Sequence, residues 1–351
     1  MFEDMIKHPT VWLQGDGSEA EIVLSSRVRM ARNISGLRYP PHAPREDREK
    51  VLEYATRAIE DEENKKLLRG RLVYMDDIDS LNRNFLVERH LVSPEFMQNL
   101  PSRGLFIGAD ERICIMVNEE DHLRIQAITS GLAAEESFDL ANKVDDSLSK
   151  MLEFDFDADF GYLTSCPTNV GTGLRASVLI HLPGLVLTRD IDSVISRITK
   201  LGLAVRGFYG EGTDVSGNLF QVSNQTTLGR TEADIIDSIQ QVTDQIIEYE
   251  NAARERLFND ARMQIEDKIW RAYGILKNAR VLSSEEVMNL LSAVRLGYGM
   301  GVLKNIELPL INELLLLSRS AHLQKLVGKD MDSEERDIAR ADLVREKLSG
   351  I

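Results

Sequence analysis

Residues 161–181 read Gly-Tyr-Leu-Thr-Ser-Cys-Pro-Thr-Asn-Val-Gly-Thr-Gly-Leu-Arg-Ala-Ser-Val-Leu-Ile-His and bring a cysteine, a glycine-rich turn and an arginine together. The apolar and β-branched start reads as a strand entering a core. Cys166-Pro167 ends its ladder, because proline has no N–H to donate. Gly171 and Gly173 let backbone approach a ligand closely, and Arg175 opens a second strand-like run that ends at His181. A thiol, open backbone and a guanidinium suit an anionic ligand beside a reactive centre. The alternative is a buried free cysteine, a broken loop and a surface arginine, since a lone cysteine is often a small core hydrophobe. Gly171-x-Gly173-x-x-Ala176 matches the dinucleotide fingerprint in letters. The residues after it read as strand, where that motif needs a helix.

Other clusters carry charge in patterns that suit the same kind of ligand. Ser25-Ser26-Arg27-Val28-Arg29 lies in a strand-like segment, residues 22–33, where a period of two puts Arg27 and Arg29 on one face. Paired guanidinium forks suit phosphate oxygens, although a solvated strand face has the same spacing. His90 stands between apolar neighbours in Glu-Arg-His-Leu-Val-Ser-Pro, a setting more often structural than functional. Asn118-Glu119-Glu120-Asp121-His122-Leu123-Arg124 falls between two strand-like runs and by itself is a polar turn. Residues 203–211 run from a strand into a glycine-bounded loop, with Arg206 and Glu211 placed to face a ligand. Near the end, Glu335-Arg336-Asp337-Ile-Ala-Arg340-Ala341 puts Arg336 and Arg340 on one helical face. That face is either a two-fork phosphate clamp or a salt-bridged, solvated surface.

Helices and strands must position these groups. Apolar spacing predicts amphipathic helices over residues 45–68, 133–152 and 190–203. Strands are predicted over 71–74, 84–92, 104–107, 113–117 and 123–129. Thr231-Glu-Ala-Asp234 has the form of a capping box before a long helix, and Ser283-x-x-Glu286 caps another. Pro309 opens a further helix, and the last begins near residue 332. The change to purely helical patterning near Thr231 divides the chain into a mixed region, residues 1–232, and a helical region, residues 233–351. A chain of 351 residues suffices for two domains. Its 43% hydrophobic and 28% charged residues describe an ordinary globular protein. The net charge of −15 argues against a nucleic-acid surface. Cys114 and Cys166 form neither a disulfide framework nor a metal-ligand spacing. With no leader-like start and no apolar run near ~18 residues, a cytoplasmic location is expected and a membrane is not.

Cys-Pro-Thr-Asn-Val-Gly-Thr-Gly-Leu-Arg-Ala-Ser-Val, residues 166–178, resembles the active-site signature of the phosphagen (guanidino) kinases, the family of creatine and arginine kinases. The Ser-Ser-Arg-Val-Arg segment and the heptad at 118–124 resemble two more of its signatures, in the expected order. The resemblance implies an antiparallel β-sheet flanked by helices, an α+β catalytic domain followed here by an all-helical C-terminal domain. It implies catalytic roles for Glu120, Glu211 and Cys166. It also implies an ATP site formed by Ser25, Ser26, Arg27, Val28, Arg29, His90, Arg124, Arg175, Ala176, Ser177, Val178, Arg206, Gly207 and Gly210. Backbone N–H groups of residues 25–29 and 175–178 are expected to add donors, and Mg²⁺ to be held mainly by the nucleotide. Tyr209 stands where small-molecule members usually carry an arginine, and Thr227 lies where basic residues often follow Ser-Asn.

Small-molecule members have a helical domain of roughly a hundred residues before the Ser-x-Arg-Val-Arg motif, of a size consistent with an independent unit. Only 24 residues precede Ser25 here. That arrangement resembles the bacterial protein arginine kinases, in which an arginine held in a polypeptide must reach the site. The motif at 335–341 resembles the segment with which such kinases bind phosphoarginine allosterically, through Arg336, Asp337, Arg340 and Ala341. The resemblance further implies protein substrates with exposed arginines, stress-response repressors among them, and a homodimer. It also implies a zinc-binding activator protein and an ATP-dependent protease that degrades the marked proteins. A kinase for a free guanidino compound and a non-catalytic phosphoarginine-binding adaptor are the competing readings. Ser/Thr-type protein kinases are excluded by the absence of their His-Arg-Asp and Asp-Phe-Gly motifs, and P-loop enzymes by the absence of Gly-x₄-Gly-Lys.

Overall fold

The computed structural model describes residues 1–97, 101–207 and 216–349. In chain order its first part runs α1 (Phe2–Met5), β1 (Val23–Arg32), α2 (Arg45–Ile59), α3 (Glu62–Leu68), β2 (Gly70–Tyr74) and α4 (Ser80–Glu88). Next come β3 (Gly104–Gly108), β4 (Ile113–Val117), β5 (Leu123–Ser130), α5 (Ala134–Ser149), β6 (Phe156–Asp157), β7 (Gly161–Tyr162) and β8 (Leu174–His181). Then follow α6 (Pro183–Leu187), α7 (Ile191–Lys200), β9 (Leu203–Gly207), β10 (Leu219–Asn224) and α8 (Glu232–Asp260). The chain closes with α9 (Arg262–Asn278), α10 (Ser284–Gly299), α11 (Leu308–Leu317), α12 (Ser320–Val327) and α13 (Ser333–Ser349).

Eight strands form one sheet in the order β2-β3-β4-β5-β1-β8-β10-β9, and every neighbouring pair in it is antiparallel. The expected antiparallel sheet flanked by helices, followed by a helical part, is the observed fold. Alternation along the strands divides the sheet into two faces. Val28 and Met30 of β1, Ile125 and Ala127 of β5, and Ala176, Val178 and Ile180 of β8 point one way. There they join the main core with the apolar sides of α2, α5 and α8. Leu24, Ile128, Leu179 and Leu219 point the other way, into a second core formed with α9, α10, α11 and α13. A third cluster packs Phe85 and Leu86 of α4 against Leu105, Cys114 and Met116. It includes Ala321 of α12. The face opposite the main core is thus covered at one place by the C-terminal helices and at another by α4. The signature arginines lie on this same face.

Several local expectations hold. Thr231 and Asp234 form the capping box of α8, the Ser283 side chain accepts from the Glu286 N–H, and Pro309 lies in the first turn of α11. Gly171 and Gly173 lead into strand β8 rather than a helix. Three expectations need correction. Residues 84–92 are not a strand: α4 covers most of them, capped by Asp79 accepting from the Asn82 N–H. Phe85 and Leu86 then sit on one buried helical side, and only Val87 and Val92 in that run are β-branched. The helix expected over 45–68 is two, because Asp61 caps α3 by accepting from the Glu63 N–H. The strand expected to lead into Cys166 is only the two-residue β7, paired with β6 outside the large sheet. The compositional change near Thr231 marks the start of α8. The apolar residues of α8, Ile235 to Ala253, pack into the main core with the sheet.

Candidate active site

Strand register assembles the guanidinium groups. Arg29 pairs with Arg175 across β1 and β8, and Arg27 with Ser177. On the other side Arg29 faces Gln126 and Ala31 faces Arg124. Gln221 of β10 lies opposite Arg206 of β9, which is exposed on the edge strand. Period-two parity puts Arg27, Arg29, Arg124, Arg175 and Arg206 on one sheet face, from strands distant in sequence.

The electrostatic consequence is mutual repulsion. Burial first, then Arg124 and Arg175, lowers the Arg27 guanidinium to about 10. Burial and the charges of Arg27, Arg124 and Arg175 push Arg29 well below its ordinary value. Arg175 is lowered by burial, Arg206 and Arg124, against the opposing influence of Cys166 and Glu120. The buried Nε atoms of Arg29 and Arg175 have no hydrogen-bond partner in the protein. Buried donors without acceptors cost free energy unless a ligand supplies acceptors. A polyanion fits this row.

The heptad at 118–124 divides its work residue by residue. Glu119 accepts from Arg124 Nη1 at 2.5 Å and from Ser93 Oγ at 2.6 Å. Burial works to raise its carboxyl, but Arg124, Ser93 and the Glu120 N–H hold it below its ordinary value. Glu120 is exposed at the turn. Desolvation by the surrounding protein, then the charges of Asp121 and Glu119, raises its carboxyl above the ordinary value. Asp121 Oδ1 accepts from Asn33 Nδ2 at 2.7 Å and from the Ser165 N–H at 2.6 Å, which fixes the residue before Cys166. His122 Nδ1 accepts from the Ile34 N–H at 2.9 Å inside the protein.

The cysteine loop is pinned from its far side too. Cys166 is half-buried with Sγ 3.0 Å from Thr168 Oγ1. Thr227 Oγ1 reaches the carbonyl oxygens of Thr168 and Val170, at 3.1 and 2.6 Å. Thr227 is thus a clasp on the cysteine loop. Asn224 accepts from the Ala176 N–H at 2.9 Å and donates to the Leu174 carbonyl at 3.0 Å, fixing the start of β8. Sequence reading misses Glu119, Asp121, Thr227 and Asn224 as positioning groups. The heptad signals the first two only as part of a motif.

Beside the arginines is a cavity of about 300 Å³ whose lining includes Arg27, Arg29, His90, Arg124 and Gln126. His90 packs edge-on to Trp12, ring centroids 5.0 Å apart. Burial, helped by Arg27, Arg319 and His322, lowers it to about 3, so it is neutral. A larger open groove of about 830 Å³ on α2 and α3 contains none of the signature residues. Ser25 and Ser177 are near the first cavity, beside His90 and Gln221. Ser26 instead anchors α5, donating to the Gly131 carbonyl and accepting from the Ala133 N–H, each at 2.9 Å. Val28, Ala176 and Val178 are fully buried in the main core. Strands β1 and β8 are interior and paired on both edges, so backbone donors expected there go to the ladders, and that of Ala176 goes to Asn224. Gly207 ends β9. Glu211, Gly210 and Tyr209 lie outside the described residues.

On α13, Arg336 is half-buried and its Nη1 donates to the Met331 carbonyl at 2.6 Å. Arg340 is 1% exposed. Its Nε donates to the Ser318 carbonyl and its Nη1 to the Leu282 carbonyl, both at 2.7 Å. Nη1 also meets Asp337 Oδ1 at 2.5 Å. Ala341 is buried in the second core. No helix among the described residues is long and apolar enough to cross a membrane.

Residues 50–253 match the model of the ATP:guanido phosphotransferase C-terminal catalytic domain. Residues 262–351 match the protein-arginine kinase McsB C-terminal domain. The chain is 49% identical to the protein-arginine kinase of Desulforamulus reducens, over 97% of this chain and 96% of that one. It is 42% identical to the protein-arginine kinase of Bacillus subtilis, over 96% and 93%. Among solved structures it is similar to lombricine kinase, with a TM-score of 0.60, 26% identity and 68% of each chain covered. A duplicated taurocyamine kinase from Schistosoma mansoni shares the fold, with a TM-score of 0.60 at 22% identity, over 80% of this chain and 40% of that one. The catalytic-domain match, the C-terminal match and relatives aligned along nearly the whole chain agree with the arginine-lined sheet face: the chain belongs to the protein-arginine kinases of the ATP:guanido phosphotransferase family.

Proposed function

We propose that the row of arginines binds the triphosphate of ATP and that Glu120 and Glu211 hold the guanidinium of a substrate arginine beside it. The observation that carries this reading is the pair of buried, unpartnered guanidinium Nε atoms, on Arg29 and Arg175, within a cluster of like charge. Arg27, Arg124 and Arg206 complete the clamp, and His90 and Ser177 lie near the nucleotide. Phosphoryl transfer needs positioning and charge neutralisation more than covalent chemistry. The substrate guanidinium is protonated at neutral pH, since arginine's pKa exceeds ~12. It becomes a nucleophile only as a base removes its proton, and the raised carboxyl of Glu120 suits that role. Cys166, on a loop fixed by Asp121 and Thr227, would lie beside the guanidinium and balance its charge without forming a covalent bond. Mg²⁺ bound to ATP oxygens would offset phosphate charge. Among the described residues no group of His, Cys, Asp and Glu offers it a protein cage.

The finer reading extends to regulation and setting. Arg336, Asp337, Arg340 and Ala341 would form the allosteric phosphoarginine site, with the half-buried Arg336 meeting the phosphate and Arg340, bolted to the Ser318 and Leu282 carbonyls, holding Asp337 in place. The substrates would be cytoplasmic proteins, including stress-response repressors, marked for an ATP-dependent protease by a homodimeric kinase that responds to an activator protein. The two domains of residues 1–232 and 233–351 would divide catalysis from this regulation.

The test offers labelled ATP and Mg²⁺ with free arginine and with an unfolded, arginine-rich protein in parallel. Acid-labile label on the protein alone, reduced about 10²–10⁴-fold by Glu120→Ala or Glu211→Ala with ATP binding retained, is the expected result. Unchanged turnover in both variants would remove the assigned roles. Label on free arginine alone would favour the free-guanidine kinase, and no label on either would favour the adaptor.

A further inference from the structure

The cavity that Arg27, Arg29 and Arg124 line is not built from the catalytic sheet alone. Its wall includes Glu88 at the end of α4 and Arg319 from the C-terminal helices. We propose that Arg319 is a further nucleotide-binding residue, so that the C-terminal helices complete the ATP site. The inference rests on the reading of this cavity as the nucleotide site.

Arg319 is held at the cavity from both sides along its own chain. It occupies the N-cap position of α12 with extended backbone, φ −71° and ψ 153°, and its side chain makes no capping bond. The side chain is therefore not needed to start the helix. After it, the Glu88 carboxylate accepts from the Ala321 N–H at 2.8 Å and the His322 N–H at 3.0 Å, and also meets His322 Nδ1 at 2.7 Å. Ala321 is buried in the cluster with Phe85 and Leu86. Before it, the Ser318 carbonyl accepts from the buried Arg340. A residue whose chain neighbours are fixed this closely needs no further ordering of its backbone to present its side chain.

Charge favours a polyphosphate as the occupant. The cavity wall carries Arg27, Arg29, Arg124 and Arg319 against the carboxylates of Glu88 and Glu95. Both Glu88 oxygens already bind the start of α12, and Glu119 outside the wall holds Arg124. Arg319 is close enough to His90 and His322 for its charge to help lower both, which sets it beside the histidine in the cavity wall. The volume, about 300 Å³, is of the size small-ligand pockets have.

The experiment uses the full-length chain, with ATP affinity and steady-state kinetics read for Arg319→Ala, Arg319→Gln and Arg27→Ala. A lost charge-assisted bond predicts a rise of about tenfold or more in Kd and KM for ATP in both Arg319 variants. The kcat at saturating ATP should stay within about twofold, since Arg319 serves binding rather than the transferred group. Thermal melting checks docking of α12, and Arg319→Gln, which keeps the apolar stem, decides the matter if Arg319→Ala melts early. Wild-type ATP affinity in Arg319→Gln, with Arg27→Ala weakened, overturns the assignment of Arg319 alone. Unchanged affinity in Arg27→Ala overturns the reading of the cavity itself.

Discussion

Two groups of arginines in this molecule behave in opposite ways. On the sheet face Arg27, Arg29 and Arg175 crowd one another, and donors of Arg29 and Arg175 go without acceptors. On α13 Arg340 is deeper still, yet its Nε and Nη1 meet two backbone carbonyls and Asp337. Arg32 resembles the second group, bonded to Asp145 and to the carbonyl oxygens of Ala31 and Thr172. On the proposed function, the difference separates a ligand site from a structural bolt. An arginine that ties helices together is surrounded by acceptors. An arginine kept for a ligand is surrounded by like charge, at a cost to the fold that the anion later offsets.

Stability measurements on the full-length chain can break this contrast. Arg340→Ala leaves the Ser318 and Leu282 carbonyls without their donor in a buried site, so stability should fall by about 2–5 kcal/mol in urea or thermal unfolding. A change below about 1 kcal/mol would show that Arg340 is no bolt. Arg29→Met should change stability in the other direction or not at all, because it removes a repelled charge, while Kd for ATP rises about tenfold or more. Strong destabilisation by Arg29→Met would erase the distinction. Thr227→Val, nearly isosteric, should cost about 1–2 kcal/mol by freeing the Thr168 and Val170 carbonyls. It should also lower kcat more than it changes KM for ATP, since it loosens only the cysteine loop.

The smallest expected effect concerns pH. Glu120 is raised partly by Asp121, so as a base it loses activity as pH falls through a value above the ordinary one for glutamate. Asp121→Asn keeps an oxygen for Asn33 and the Ser165 N–H but removes the charge. The Glu120 carboxyl then falls, and the acidic limb of the kcat profile should move to lower pH. A limb that stays in place would assign it to another group.

Much of the site is legible in the sequence. The Arg27/Arg29 pair, the heptad and the cysteine loop are local patterns, and a two-residue period or a Pro after Cys survives in any fold that accepts them. The parts that mislead depend on partners far away along the chain. Residues 84–92 look extended because Val87 and Val92 stand among the apolar Phe85, Leu86 and Leu91, but Asp79 capping and burial against β3 and β4 make residues 84–88 helical. Thr227 looks like a missing charge until folding brings the carbonyls of 168 and 170 near. Arg340 looks like half of a phosphate clamp, and nothing in its own helix reveals the carbonyls of Leu282 and Ser318.

The sequence by itself determined which residues could carry the chemistry, the alternation that puts the arginines on one face, and the caps that start the helices, because these follow from neighbours a few positions apart. Tertiary structure alone decided which arginines go without acceptors, where the ladders take up backbone donors of β1 and β8, and that Arg319 lines the arginine-rich cavity with Glu88. Those depend on which surfaces meet when the sheet, α4 and the C-terminal helices pack, and packing joins residues whose separation along the chain carries no local signal.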